Sequence, residues 1–228
     1  MRRKGHVELR ILQISDIHSS RMAERIPKTV EEKGCDIVFV AGDITNFGTV
    51  EEAEKILGII AGSGRPVFFV AGNCDPPALL NHRPMNERIV NLHLMKYSFA
   101  GYWLAGLGGS LVTSHGMTLI ELREEEITSM LSNIVGVEKP SILLSHNPPY
   151  GTDADRSMNG EHIGSHAVRE FVEREAPILV SCGHIHEARS VSKLGDTLVI
   201  NAGPAKSGYC AVIEVGPDGV RAMLERLV

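Results

Sequence analysis

Seven polar side chains of the sequence stand at the ends of five apolar runs, and their types suit metal binding. The runs are typical of buried strands, and imidazole, carboxylate and amide groups are ligands that divalent transition metals accept. Together the side chains could hold two such ions. They are Asp16, His18, Asp43, Asn73, His146, His184 and His186.

The spacing of these residues favours shared ligation. Asp16 and His18 are two positions apart, as are His184 and His186, and such side chains point to the same side of an extended chain. Asp43 follows a glycine, and its two carboxylate oxygens could bridge two ions. Any one group could be structural, but five groups in order, each after a strand, favour a metal centre. The remaining histidines lack this context and are expected in surface or core roles: His6, His82, His93, His115, His162 and His166.

The chemistry of such a centre follows from its charge. Two divalent ions bring four positive charges and Asp16 and Asp43 return two, so the centre keeps about two positive charges. This favours a bound hydroxide and an anionic substrate. Two ions also lower the pKa of bound water and stabilise both oxygens of an in-line displacement, which is the chemistry of phosphoester hydrolysis. Imidazole and carboxylate ligands suit Mn, Fe, Zn, Ni or Co better than Mg or Ca.

The elements that must position these residues alternate between strand and helix. Buried strands are predicted over residues 8–15, 36–41, 66–71, 141–144 and 178–181. Helices are predicted over 21–33, from 49 onward, over 124–135 and over 165–175. Thr49 and Glu52 resemble a capping box, and Pro27 is unfavourable within the helix 21–33.

The rest of the chain is less regular. Residues 81–91 predict a loop with a helical turn, 97–107 one or two strands, and 106–110 a flexible turn. Three short strands over 188–193, 197–201 and 209–215 suggest antiparallel hairpins. The pattern indicates one domain over residues 1–228, with two packed sheets flanked by helices.

Composition limits the functional classes. The chain has 228 residues, 43% of them hydrophobic, and a formal charge of −5, so it can form a substantial core and has no basic surface for non-specific nucleic-acid binding. Its four cysteines form no C-x-x-C pair, which favours a reducing cytoplasm. Residues 1–4 are basic, but no continuous apolar segment follows, and no run approaches the ~20 residues of a membrane span. We expect a cytoplasmic protein that is neither secreted nor membrane-embedded; a homo-oligomer is left open.

The ordered motifs resemble those of the calcineurin-like metallophosphoesterases, in their small prokaryotic single-domain branch. The family pattern is D-x-H, G-D, G-N-H-D/E, H and G-H-x-H, and here it extends from residue 16 to residue 186. The resemblance implies an α/β fold, a four-layer α/β/β/α sandwich of two mixed sheets flanked by helices. It also implies two ions: Asp16, His18 and His186 hold one, Asn73, His146 and His184 hold the other, and Asp43 bridges them and holds the hydroxide.

One position departs from the family pattern. Cys74 stands where the family has a catalytic histidine, which protonates the leaving oxygen or steadies the phosphate. A thiol is a poor substitute, so activated phosphodiesters are favoured over ordinary phosphomonoesters, and the resembling branch includes enzymes described as phosphodiesterases. Cys74 could equally be a small neutral filler; a covalent nucleophile is disfavoured because a metal-bound hydroxide is available. Asp75 is expected to orient a neighbouring group.

The leading hypothesis is a dinuclear, manganese-favouring phosphodiesterase that uses a metal-bridging hydroxide on a small phosphoester. One alternative is a phosphomonoesterase acting on a nucleotide or phosphoprotein. Another is a metal-binding scaffold module with little catalysis. Loops over residues 46–49, 110–117 and 147–159 are expected to shape the pocket.

Overall fold

The computed structural model describes residues 8–112, 116–134, 138–139 and 141–228. These residues form four α-helices: α1 (Ile26–Lys33), α2 (Val50–Ala61), α3 (Glu124–Ile134) and α4 (His166–Glu175). Eight strands precede α3: β1 (Leu9–Ile14), β2 (Ile37–Ala41), β3 (Val67–Val70), β4 (Ile89–Asn91), β5 (Lys96–Phe99), β6 (Tyr102–Leu107), β7 (Ser110–Leu111) and β8 (Glu121–Leu122). Six follow: β9 (Ile142–Ser145), β10 (Leu179–Cys182), β11 (Ser190–Leu194), β12 (Thr197–Asn201), β13 (Tyr209–Gly216) and β14 (Gly219–Arg226).

Two six-stranded sheets form the centre of the fold. The first has the order β14-β13-β1-β2-β3-β4, with β1 to β4 parallel and β13 antiparallel to both β1 and β14. The second has the order β11-β12-β10-β9-β6-β5, with four parallel strands in the middle and antiparallel strands at both edges. The short strands β7 and β8 pair with each other. Two mixed sheets flanked by helices confirm the predicted α/β/β/α sandwich.

The sequences of the central strands explain this layering. Every residue of β2 and β3 is apolar and buried, as expected for parallel strands that are covered on both faces. Between the sheets, the rings of Phe39 and Phe68 meet edge to face with centroids 6.1 Å apart. Leu57 of α2 belongs to the outer core of the first sheet, and Phe171 of α4 to that of the second.

This topology brings the polar strand ends together. The parallel strands β1, β2 and β3 end at one edge of the first sheet, and β9 and β10 end at the corresponding edge of the second. A buried amide links the two sheets near this edge, because Gln13 of β1 donates to the carbonyls of Cys182 (2.8 Å) and Ile200 (3.1 Å). The carboxyl ends of parallel strands are where α/β sheets gather ligands.

Three predicted elements differ in the structure. The end of the loop predicted over 81–91 is the strand β4, which pairs with β3. The expected helix over 21–33 is a 3-10 helix, Arg21–Arg25, followed by α1, which has Pro27 in its first turn. Proline lacks an amide proton and is tolerated only at a helix start, so a new helix begins there. The expected flexible turn over 106–110 is partly strand, since Gly106 and Leu107 belong to β6 and Ser110 begins β7.

The prediction of C-terminal antiparallel hairpins was partly wrong. β11 and β12 form an antiparallel hairpin, but β12 pairs in parallel with β10. β13 instead crosses to the first sheet and forms a hairpin with β14, a strand that the sequence pattern did not predict. The predicted helical end at residue 135, the basic segment 1–4, His6 and His115 lie outside the described residues. Within the described ranges, no helix has the length and apolarity needed to cross a membrane.

Candidate metal centre

Asp16 and His18 reach the site through a strained turn. Both residues follow β1 with left-handed backbones, φ 55° for Asp16 and 48° for His18. Their amides donate to the carbonyls of Gly42 (3.0 Å) and Asp43 (2.9 Å). The extended geometry assumed from the spacing is therefore wrong, although the two side chains still converge. Left-handed backbone is uncommon outside glycine and clusters at functional sites.

His186 completes the first group of ligand atoms. Its Nε2 lies 3.3 Å from His18 Nε2 and 3.3 Å from Asp16 Oδ1. Asp16 is fully buried, and its Oδ1 accepts no hydrogen bond. Two neutral imidazoles whose lone pairs meet a carboxylate oxygen at this distance repel one another unless a cation or proton lies among them. The donor set and its unsatisfied oxygen fit a divalent transition metal.

Asp43 lies between the two groups. Its Oδ2 is 3.6 Å from His18 Nε2, and its Oδ1 is 3.6 Å from His146 Nε2. The Cys74 amide donates to Oδ1 at 2.7 Å. This placement requires a glycine at position 72, because a side chain there would clash with the Asp43 carboxylate.

His146 and Asn73 form the second group, and the ring of His184 lies beside it. The buried ring of His146 donates from Nδ1 to the Ala41 carbonyl at 2.7 Å, and its Nε2 faces Asn73 Oδ1 at 2.8 Å. In that tautomer two lone-pair atoms face each other, an arrangement that a cation satisfies. The ring of His184 lies 5.0 Å from that of His146, centroid to centroid, and its amide contacts Asp16 Oδ2 at 3.3 Å.

The pKa shifts of Asp16, His18 and His184 match the ligand roles, whereas that of His146 in the metal-free protein runs the other way. Burial, reinforced by His146, lowers the pKa of His184 to about 3, and burial also lowers the pKa of His18. Burial opposes ionisation of Asp16, yet its contact with His186 and the charge of His146 hold its pKa well below the usual value. For His146 the carboxylates of Asp43 and Asp16 outweigh burial and raise the pKa. Neutral imidazoles beside an ionised carboxylate are the protonation states that metal ligation requires.

Asp75 ties together two of the loops that carry these residues. Its fully buried carboxylate accepts from the amides of Ile44 (3.1 Å), Thr45 (2.7 Å) and Gly72 (2.8 Å) and from the Thr45 hydroxyl (2.9 Å). Burial and the nearby Asp43 raise the pKa of Asp75 to about 6. The side chain therefore braces the loop after β2 against the loop after β3, behind Asp43 and Asn73.

Cys74 is a buried neighbour of the centre. Its Sγ lies within 4.8 Å of ligand atoms of His18 and Asp43, and Asn73 Nδ2 is 3.8 Å away. Burial and the charge of Asp43 raise the pKa of the thiol. A neutral thiol therefore stands beside the two candidate ion positions.

The other described histidines have partners of their own. His82 pairs with Glu54, His162 with the buried carboxylate of Asp155, and His166 stacks on Tyr150. His93 Nδ1 accepts a hydrogen bond from the amide of Gly108. None of these belongs to a described cluster of candidate ligands.

Near the centre, Lys206 was missed from the sequence, and Phe47 was predicted only as part of a pocket loop. The Lys206 amide donates to the Asp16 carbonyl at 3.2 Å, and its exposed ammonium helps to lower the pKa of His18. The Phe47 amide donates to the Cys74 carbonyl at 3.0 Å. The turn residues before Lys206 could have indicated it, whereas the sequence pointed to the loop 46–49 as a whole and not to Phe47 individually.

The loops predicted to shape the pocket do adjoin the centre where they are described. Phe47 lies in the loop 46–49. In the loop 147–159 the Met158 amide donates to Glu187, the residue after His186, at 3.0 Å. Residues 113–115 of the third loop lie outside the described residues. Just beyond it, the Leu119 amide donates to the Asn73 carbonyl at 2.8 Å.

Comparison with known proteins decides the family. The sequence model described as calcineurin-like phosphoesterase matches residues 9–188, well over half of the chain. The chain is a calcineurin-like phosphoesterase. It is 34% identical over 206 residues to uncharacterized protein MJ1162 of Methanocaldococcus jannaschii, covering 86% of this chain and 88% of that protein. It is 26% identical to UPF0046 protein C25E10.12 of Caenorhabditis elegans, covering 86% of this chain and 75% of that protein.

Solved structures support the same fold. TT1561 of Thermus thermophilus superposes with a TM-score of 0.77 at 17% identity, covering 97% of this phosphoesterase and all of that chain (100%). The phosphopantetheinyl hydrolase PptH of Mycobacterium tuberculosis superposes with a TM-score of 0.61 at 14% identity, covering 88% and 92%. Membership of the family supports metal-dependent hydrolysis of phosphoesters, and the family typically uses two metal ions.

Proposed function

We propose that this phosphoesterase hydrolyses phosphodiesters that carry a good leaving group. The observation that carries the proposal is the buried, neutral Cys74 thiol, which lies within 4.8 Å of ligand atoms of His18 and Asp43. A side chain at this position that does not readily give up a proton offers little help to a poor leaving group. An ester whose leaving oxygen departs as a stable anion needs no such help.

Seven residues would hold two divalent ions, with manganese as the proposed metal. Asp16, His18 and His186 would hold one ion, Asn73, His146 and His184 the other, and Asp43 would bridge the pair. When bound, the ions supply a water molecule of lowered pKa and offset the charge of the phosphoryl oxygens. The support for this assignment is the convergence of oxygen and nitrogen atoms in the two groups, together with the buried Asp16 Oδ1, which accepts no hydrogen bond.

The protein's own groups orient this arrangement. The bond from His146 Nδ1 to the Ala41 carbonyl selects the tautomer that directs Nε2 inward. The four hydrogen bonds accepted by Asp75 fix the loops of Asp43 and Asn73 relative to each other. A rigid constellation lowers the cost of reorganisation when charge develops on the phosphoryl group.

The first test is a matched substrate pair. The purified protein would be stripped of metal and reloaded in turn with Mn, Fe, Co, Ni and Zn, and bound metal would be counted by mass spectrometry. We expect about two ions per chain and a higher kcat/KM for bis(p-nitrophenyl) phosphate than for p-nitrophenyl phosphate. A faster monoester would favour the phosphomonoesterase alternative. No hydrolysis of either ester with any metal would refute the proposal.

The second test restores the family residue. Cys74→His should raise the monoester rate by about tenfold or more, since general acid catalysis contributes ~10²–10⁴-fold. Cys74→Ser, which keeps a small side chain, is the matched control and should leave the monoester rate low. An unchanged monoester rate in a metal-loaded Cys74→His protein would contradict the role given to this position.

We also propose that the protein acts in the cytoplasm. All four cysteines are free and buried, which suits a reducing compartment. Cell fractionation with an antibody to the native protein tests this location.

A further inference from the structure

Phe47 combines two unusual properties beside the candidate metal centre. It lies in the loop between β2 and α2 with 52% of its surface exposed. Its backbone is left-handed, with φ 59°, which is a real outlier for a bulky aromatic residue. Such strain persists where the surroundings impose it, and it clusters at ligand-binding positions.

The hydrogen bonds of the loop account for this conformation. The Phe47 amide donates to the Cys74 carbonyl at 3.0 Å, and the preceding Asn46 amide donates to Ser19 Oγ at 3.1 Å. Thr45, one residue earlier, is bonded to Asp75. The loop is thus bonded to two segments that flank candidate ligands, after His18 on one side and after Asn73 on the other. These contacts hold an apolar ring at the surface rather than in a core.

A second exposed apolar side chain is anchored at the same segment. Leu119 is 44% exposed, and its amide donates to the Asn73 carbonyl at 2.8 Å. The loops of Phe47 and Leu119 therefore bond to consecutive residues of one short turn that also supplies a candidate metal ligand. We refer to these two side chains as the apolar rim.

We propose that the apolar rim binds an aromatic ring carried by the phosphoester substrate, with Phe47 as the main contact. This inference rests on the proposed function and names the substrate class. An anionic phosphoryl group suits the positively charged centre, and an adjoining apolar surface suits a flat, apolar substituent. Stacking on an aromatic side chain is tolerant of the identity of the ring, so both a nucleobase and a simple aryl group fit this chemistry.

Binding of non-hydrolysable ligands tests the rim apart from catalysis. The metal-loaded protein would be titrated calorimetrically with phenylphosphonate and methylphosphonate, which share a head group and differ in the ring. We expect phenylphosphonate to bind about tenfold more tightly to the wild type, and this preference to fall towards unity in Phe47→Ala. Met85→Ala, which alters a 95% exposed side chain elsewhere, should retain the preference. The phosphonate analogues of thymidine 5′-monophosphate and of 2-deoxyribose 5-phosphate, which are also non-hydrolysable, give the nucleobase arm.

A stability measurement separates binding from a structural role. Phe47→Asn places a residue that tolerates left-handed backbone at this position. We expect its Tm to be at least that of the wild type, with the preference for the ring lost. An unchanged phenyl-to-methyl ratio in both Phe47 variants and in Leu119→Ala would overturn the inference. Absence of diester hydrolysis by the wild type would count against the proposed function alone, because the ring preference is measured without turnover.

Discussion

The two sheets contribute different chemistry to the candidate metal centre. Loops of the first sheet carry both carboxylates, the amide and one imidazole: Asp16, Asp43, Asn73 and His18. Loops of the second sheet carry only imidazoles: His146, His184 and His186. All the negative charge available to two cations therefore comes from one side of the sandwich, and the other side supplies neutral ligands.

The two sides also differ in how they are held. On the first side the loops bond directly to each other, as in the His18 amide to the Asp43 carbonyl, and Asp75 adds four further hydrogen bonds. On the second side the key bonds go to the first sheet, from His146 to Ala41 and from the His184 amide to Asp16. The anionic side thus forms a braced frame on which the imidazole side is positioned.

The largest effect is expected from removing the central charge of the first side. Asp43→Asn keeps the size of the side chain but leaves one carboxylate to balance two cations. We expect activity to fall by more than the ~10–100-fold that changes behind a metal ligand cost, with fewer ions bound per chain by mass spectrometry. Asp218→Asn, at an exposed turn, is the matched control. Retention of activity and of both ions would remove Asp43 from the bridging role.

A smaller, metal-dependent effect is expected on the imidazole side. His186→Ala removes a neutral ligand, so the charge balance survives and the affinity for one ion falls by at least ~10–100-fold. Activity should therefore recover as metal is added, unlike that of the Asp43 variant. His166→Ala, an exposed histidine on α4, serves as control. If the activity of His186→Ala does not recover in excess metal, the two sides of the centre are equally essential.

Weakening the hydrogen bonds of Asp75 tests whether metal binding depends on the rigidity of the first side. Asp75→Asn replaces one accepting oxygen with a donor, so at least one of its buried amide partners loses its bond. We expect metal affinity to fall by ~10–100-fold and the free energy of unfolding of the metal-free protein to fall by ~1–3 kcal/mol. Asp153→Asn, on the surface, should change neither. Unchanged metal affinity in a destabilised protein would confine Asp75 to a structural role.

Local signals in the sequence were sufficient for the layer architecture and for the seven candidate ligands. The candidates come directly after strands that are buried on both faces, and such strands are recognisable from their unbroken apolar runs. The left-handed turn at Asp16 and His18 could not be predicted in the same way. It depends on backbone hydrogen bonds to Gly42 and Asp43, which lie after β2. Nothing in the sequence around β1 indicates these bonds.

The errors in the predicted strand pairing also arose because the pairing depends on contacts distant in sequence. β12 is an apolar run that fits a hairpin with its neighbour in sequence and a parallel pair with β10 equally well, and it does both. β14 was missed because its charged residues, such as Arg221 and Glu225, make it polar, as befits a strand at the edge of a sheet. The strain at Phe47 likewise depends on a bond to Cys74 from a different loop.

A separate effect, on acid stability, is expected at His93, where the two sheets meet. It follows β4 of the first sheet and contacts β6 of the second, and its Nδ1 accepts from the Gly108 amide at 2.9 Å. Burial, together with the charge of Arg83, lowers the pKa of His93 from 6.5 to about 4. His93 is therefore protonated below pH 6.5 in the unfolded chain but only below about pH 4 in the folded protein.

Stability from His93 is thus complete above pH 6.5 and is lost as the pH falls from 6.5 to about 4, a loss on the order of 3 kcal/mol. His93→Gln keeps an acceptor for Gly108 but cannot titrate, so its unfolding free energy should decline less steeply across this range. Denaturant unfolding of the metal-free proteins at several pH values measures the difference, because the metal ligands titrate alike in both. His166→Gln should follow the wild type. Equal slopes for wild type and His93→Gln would show that this junction between the sheets does not respond to acid.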